Sequence, residues 1–109
     1  GEVMKNLFKL FVAAGLVSFA TQSLADAKAG EAVVKKSDCM LCHSVDKAIV
    51  GPAFKDVAAK YKGDKTAEAK LIEKVKKGGG GVWGTNQMTP HPALSEADLK
   101  SAVEWVLSQ

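Results

Sequence analysis

Cys39-Met40-Leu41-Cys42-His43 is the stretch that decides how the rest of this chain is read. In a helical turn, residues i and i+3 project to the same side. The thiols of Cys39 and Cys42 can therefore reach the two vinyl groups of one porphyrin, each adding across a vinyl to give a thioether. His43, next in sequence, is then held under the metal and supplies an imidazole nitrogen as proximal ligand. C-x-x-C-H is the spacing of covalent haem attachment. Other readings of the cysteines are weaker. A thioredoxin-like C-x-x-C needs a βαβ setting, and no long alternating run calls for a sheet here. A zinc site would have to use Cys39, Cys42, His43 and His91, the only Cys and His residues present. Adjacent Cys42 and His43 are poorly disposed to share one tetrahedral ion. A disulfide would close a very short loop and restrain little of the chain.

Outward from this motif the periodicity is helical. A first helix is expected over 27–36, with Asp26 placed to cap it. A second is expected from Pro52, a residue suited to a first helical turn, to about Lys62. Its Phe54, Val57, Ala58 and Tyr61 share one face. A third runs from about Thr66 to Lys77 with Leu71, Ile72 and Val75 inward. Lys74, Lys76 and Lys77 suit the negative end of its dipole, and Gly78 stops it. The fourth opens on Ser95 and Asp98, which resemble a capping box, and carries the stripe Leu99, Ala102, Val103, Val106 and Leu107. The expected fold is all-α, about four helices wrapped around one covalently attached haem.

Between the last two helices lies a loop, 78–94, with four consecutive glycines, Trp83, Met88, Pro90 and Pro92. A structureless loop of that length is unusual in so small a domain. It makes sense if it wraps around something that is not protein. It also carries the candidates for the sixth position on iron. Met40 lies between the cysteines on the proximal side, and Met4 lies near the N-terminus. Met88 and His91 remain. Met88 is the choice, because a thioether is a soft ligand and Met/His ligation raises the reduction potential. His91 in its place would lower it.

At the N-terminus, Met4-Lys5-Asn6-Leu7-Phe8-Lys9 is a short basic start, Leu10 to Ala20 is apolar, and Ser23-Leu24-Ala25 has small residues at the two positions a signal peptidase reads. That is the layout of a secretory signal peptide, and the apolar run falls short of the ~20 residues that span a bilayer. The expected division is therefore 1–25, a signal peptide with the short remnant Gly1-Glu2-Val3, and 26–109, one domain. This places the protein in the periplasm with no stable membrane insertion. A domain that small commonly needs a staple such as a cofactor. The chain has 109 residues and a net charge of +3, with every basic residue a lysine. Such a mild excess is no nucleic-acid footprint; it suits weak steering toward acidic partners.

With these residues in view, the chain resembles the short bacterial cytochromes c of the c-551/c-552 group. The resemblance rests on the haem motif, on Val50-Gly51-Pro52-Ala53-Phe54-Lys55-Asp56-Val57-Ala58-Ala59-Lys60-Tyr61, on Gly81-Val82-Trp83-Gly84, on Met88 and on Trp105-Val106-Leu107-Ser108-Gln109. It implies that Pro52 lends its carbonyl to the outer nitrogen of His43. It implies further that Trp83 donates its indole N–H to a haem propionate, with Lys74 near the same propionate, and that Met88 is the distal ligand. Gly30 and Val34 would meet the last helix near Val103 and Trp105. Two departures stand out. The group commonly has Met-Pro-Pro-Asn at the ligand loop, where the Asn can hydrogen-bond the methionine sulfur; here Met88-Thr89-Pro90-His91 is found, with one residue inserted before the fourth helix. The group also often has Arg where Lys74 stands, and Lys lacks the bidentate geometry.

The expected function is single-electron transfer as a monomeric carrier, not an enzyme, between transient respiratory partners. Weakly bound redox complexes use small patches. Lys35, Lys36 and Lys47 are candidates for steering, although each also reads as an ordinary solvated lysine. The rival, a peroxidase or gas-binding cytochrome, requires an open distal position.

Overall fold

The computed structural model describes residues 28–109, so residues 1–25, read above as a signal peptide, lie outside the described residues. The described residues form five helical segments: α1 (28–36), α2 (Cys39–Cys42), α3 (Phe54–Lys60), α4 (Ala67–Lys77) and α5 (Glu96–Leu107). Among them there are no strands, only isolated bridges between His43 and Ala48 and between Gly79 and Met88. The four long helices are those read from the periodicity. α2 is one additional turn, and it carries the two cysteines at its ends.

Local chemistry sets the helix limits. Ser95 caps α5, its Oγ accepting from the Asp98 N–H at 3.1 Å, a bond worth about 1 kcal/mol. Asp64 turns the chain into α4, its carboxylate accepting from the Thr66 N–H at 2.8 Å and the Thr66 hydroxyl at 2.6 Å. Glu68 lies in the first turn of α4, with Lys74, Lys76 and Lys77 in its last, an order the helix dipole favours. Gly78 then leaves the helix at φ 71, backbone that L side chains rarely adopt. A Cβ there would also strike the Met88 carbonyl and lie 2.8 Å from the Pro90 nitrogen. One start differs from expectation: α3 begins at Phe54, not Pro52, because Ala53 is extended (φ −62, ψ 144) and serves as N-cap. The Pro52 carbonyl faces His43 instead.

α5 is the central strut, packed on both α3 and α4. Leu99, Ala102 and Val103 are its buried face. Val34 from α1, Phe54 from α3 and Ala102 from α5 form one buried cluster, with Val33, Cys39, Val45, Trp105 and Val106 packed around it. Gly30 allows this meeting of α1 and α5. A Cβ on Gly30 would overlap the Ser101 carbonyl oxygen and lie 2.7 Å from Trp105 Cβ. Leu71, Val75 and Val106, all inward on the helical pattern, are only half-buried. All three line a cleft. No helix among the described residues is long and apolar enough to cross a membrane.

Gly30→Ala gains about 1 kcal/mol in helix propensity but must push apart two backbones, and overpacking of this kind costs about 1–3 kcal/mol. The expected net result is a lower guanidinium midpoint with unchanged slope. Equal or higher stability would show that α1 and α5 are free to separate.

Candidate haem site

Cys39, Cys42, His43, Pro52, Lys74, Trp83 and Met88 all line one cleft of about 460 Å³, walled by α2, the 43–53 segment, α4, α5 and the 78–94 loop. Clefts of this size hold cofactor-sized ligands. α2 and the segment that follows it form the proximal wall. The His43 N–H bonds the Cys39 carbonyl at 2.9 Å, and the Gly51 and Val50 N–H groups both reach the Cys42 carbonyl, at 2.8 and 3.2 Å. The chain from 43 to 51 is thus tied back onto the cysteine turn.

The His43 ring is clamped. Its Nδ1–H donates to the Pro52 carbonyl at 2.7 Å, which fixes the tautomer and leaves Nε2 without a partner among the described residues. The ring stacks on Phe54 at 5.1 Å between centroids and 24° between planes. Phe54 meets Trp105 edge-on at 5.7 Å and 81°. Gly51 lies against the imidazole so closely that a Cβ would sit 2.8 Å from Nδ1 and 3.0 Å from Nε2. Sequence reading assigned neither Gly51 nor Phe54 to the site. Phe54 was legible as an inward residue of α3, but its target was not. Gly51 gave only the weak signal of a glycine between Val50 and Pro52.

Both cysteines are free thiols, half-buried. Burial pushes the Cys39 thiol above its ordinary range, outweighing a lowering backbone hydrogen bond, and the charge of Asp38 adds to the rise.

The opposite wall hangs from the end of α4. Met88 and Gly79 exchange backbone bonds of 2.9 and 3.0 Å, and the His91 N–H reaches the Val75 carbonyl at 3.0 Å. Asn86 crosses to the proximal side, its amide donating to the Val50 carbonyl at 3.0 Å. Trp83 stands on the rim, 44% exposed, with the Lys60 ammonium 5.6 Å above its ring. No protein group among the described residues accepts its indole N–H. Lys74 is half-buried on the cleft and pairs with no carboxylate there, in contrast to Lys70, whose ammonium lies 3.7 Å from Asp64. Of the three lysines considered for steering, Lys35 pairs with Glu31 at 2.8 Å, while Lys36 and Lys47 are exposed.

The donor set fits a haem: two free thiols one turn apart, an imidazole with a bonded Nδ1 and a free Nε2, a thioether opposite, and apolar helix faces between. Residues 27–109 match the cytochrome c family, and the chain belongs to it. Within that family it falls with the short c-551/c-552 proteins. It is 46% identical to cytochrome c-551 of Allochromatium vinosum over 92 residues, covering 84% of this chain and 98% of that protein. Cytochrome c-551 of Pseudomonas aeruginosa is also 46% identical, over 72% of this chain and 75% of that one. The crystal structure of Nitrosomonas europaea cytochrome c552 superposes with a TM-score of 0.68 at 42% identity, over 72% of this chain and 96% of that chain. The chain is an electron carrier with a covalently attached haem c, not an enzyme.

Gly51→Ala tests the clamp. The added methyl must tilt the His43 ring or displace the Pro52 carbonyl, at a cost of about 1–3 kcal/mol. The haem-loaded variant should unfold at lower guanidinium than wild type and show a shifted Soret band. Wild-type values for both would mean that the ring is not confined from that side.

Proposed function

We propose that this carrier shuttles single electrons between respiratory proteins in the periplasm, with haem bonded to Cys39 and Cys42 and iron held between His43 and Met88. When bound, the haem supplies a one-electron Fe(II)/Fe(III) couple. The observation that carries the reading is the pairing of walls: a clamped imidazole with Nε2 free on one side, and a thioether pinned through Gly79 on the other, both on one cleft.

Each residue has a physical part. The Pro52 carbonyl accepts from His43 Nδ1–H, holding the ring and raising its basicity. The Met88 thioether, a softer and less basic donor, favours the reduced state relative to an imidazole in the same place. Trp83, with its N–H unpartnered, donates to a propionate, and the Lys74 ammonium offsets charge on the same group. With His43 and Met88 both holding the iron, no open coordination site would remain, which suits outer-sphere transfer. Residues 26–109 form the mature, monomeric domain after cleavage behind Ala25. The Met-Lys-Asn-Leu-Phe-Lys start and the apolar run after it support export.

An absorption spectrum with redox titration of the processed protein tests the site. A covalent haem c spectrum is expected, with a weak near-infrared band from the sulfur–iron bond and no CO uptake by the reduced protein. A missing band together with ready CO binding would point to an open distal site and end the carrier ligation proposed here. Mass spectrometry should find a chain starting at Asp26 plus one haem. Trp83→Phe removes one donor from a propionate, leaving more negative charge near iron. Its potential should fall by on the order of 40 mV, the one-electron equivalent of about 1 kcal/mol. An unchanged potential would place the indole elsewhere.

A further inference from the structure

One metal-binding side chain on the cleft has no part in the site described above. His91 lies three residues after Met88, is half-buried, and lines the same cleft. Its Nδ1 is sealed inside the protein with no hydrogen-bond partner, and no protein group among the described residues bonds Nε2. Buried ring nitrogens are ordinarily partnered. His43, by contrast, spends its Nδ1–H on Pro52.

We propose that His91 is a latent distal ligand: when the Met88 thioether leaves iron, the His91 imidazole takes the sixth position. The backbone makes this possible. Met88 is fixed through Gly79, just past the end of α4, and His91 through the Val75 carbonyl in its last turns, so both ends of the Met88–His91 segment are tied down. Release of the thioether therefore does not release the histidine from the cleft wall. Met88-Thr89-Pro90-His91 is a short span, and Pro90 restricts one of its φ angles near −65°. The competing bases on the cleft are Lys70 and Lys74, and an ammonium must lose a proton before it can bind a metal, whereas a neutral imidazole need not. With no acceptor at Nδ1, His91 is a weaker donor than His43, which suits a reserve ligand. Its engagement lowers the reduction potential, since imidazole replaces thioether.

This inference rests on Met88 being the ordinary ligand, and the experiment separates the two. Ferric haem-loaded Met88→Ala, Met88→Leu and Met88→Ala/His91→Ala proteins are compared with wild type by absorption and electron paramagnetic resonance, and their reduced forms by CO binding. The near-infrared band of wild type should be lost in every variant. Met88→Ala should remain low-spin with a bis-imidazole signature and resist CO, whereas the double variant should turn high-spin and bind CO readily. A high-spin Met88→Ala protein, or a double variant still low-spin through another base, overturns the proposal and leaves the Met88 reading standing. A wild-type protein already lacking the band would instead defeat the Met88 reading. Met88→Leu retains the side-chain volume should the Ala variant fold poorly. The fallback compares wild type with His91→Ala in rising guanidinium. Wild type should pass through a bis-imidazole species as the thioether detaches, and His91→Ala should go directly to high-spin; identical courses overturn the proposal.

Discussion

The hydrogen bond from His43 Nδ1 to the Pro52 carbonyl, 2.7 Å long, is the constraint on which the rest of the structure depends. It selects the tautomer, so Nε2 is the nitrogen presented to the cleft. It also draws Pro52 out of the helix that its sequence position would suit, so α3 starts two residues later at Phe54. That shift places the Phe54 ring under the imidazole and its edge contact against Trp105 of α5. A single polar bond thereby couples the motif to the central helix, and through Gly30 and Val34 to α1.

The two walls differ in how they are held. The proximal wall combines backbone bonds to the Cys42 carbonyl with aromatic stacking and buried apolar contacts. The distal wall is a loop tied by a few backbone bonds to the end of α4, plus one side-chain bond from Asn86 across to Val50. Segments with few buried apolar contacts open at lower free energy than core helices. His43 is therefore the more rigidly held of the two facing residues, and Met88 sits on the more easily opened segment. His91 lies at the far end of that same loop.

The helix faces explain why such a small domain needs its prosthetic group. Leu71, Val75 and Val106 follow the apolar stripe of their helices yet are only half-buried, because they face the cleft. The fully buried set is small, with Val34 and Leu99 its largest members. A porphyrin between these faces adds apolar contact that the protein does not make with itself, and bound groups of this kind stabilise the folded state by mass action.

Much of this was determined by the sequence alone. The Cys39–His43 spacing fixes attachment chemistry through local geometry, and the 3.6-residue periodicity fixes four helices, because both depend on residues close along the chain. The long glycine-rich loop marked where a non-protein group would lie. Tertiary structure decided what depends on distant neighbours. Phe54 and Gly51 became walls of the histidine pocket only because the chain turns back after α2, with the Gly51 N–H on the Cys42 carbonyl and the Phe54 N–H on the Ser44 carbonyl. Asn86 found Val50 across 36 residues. His91 drew attention in sequence as a possible ligand, but only packing could seal its Nδ1 without a partner and pin its backbone to Val75. Spacing along one turn is a local property, whereas the partner of a buried nitrogen is set by every segment that closes around it.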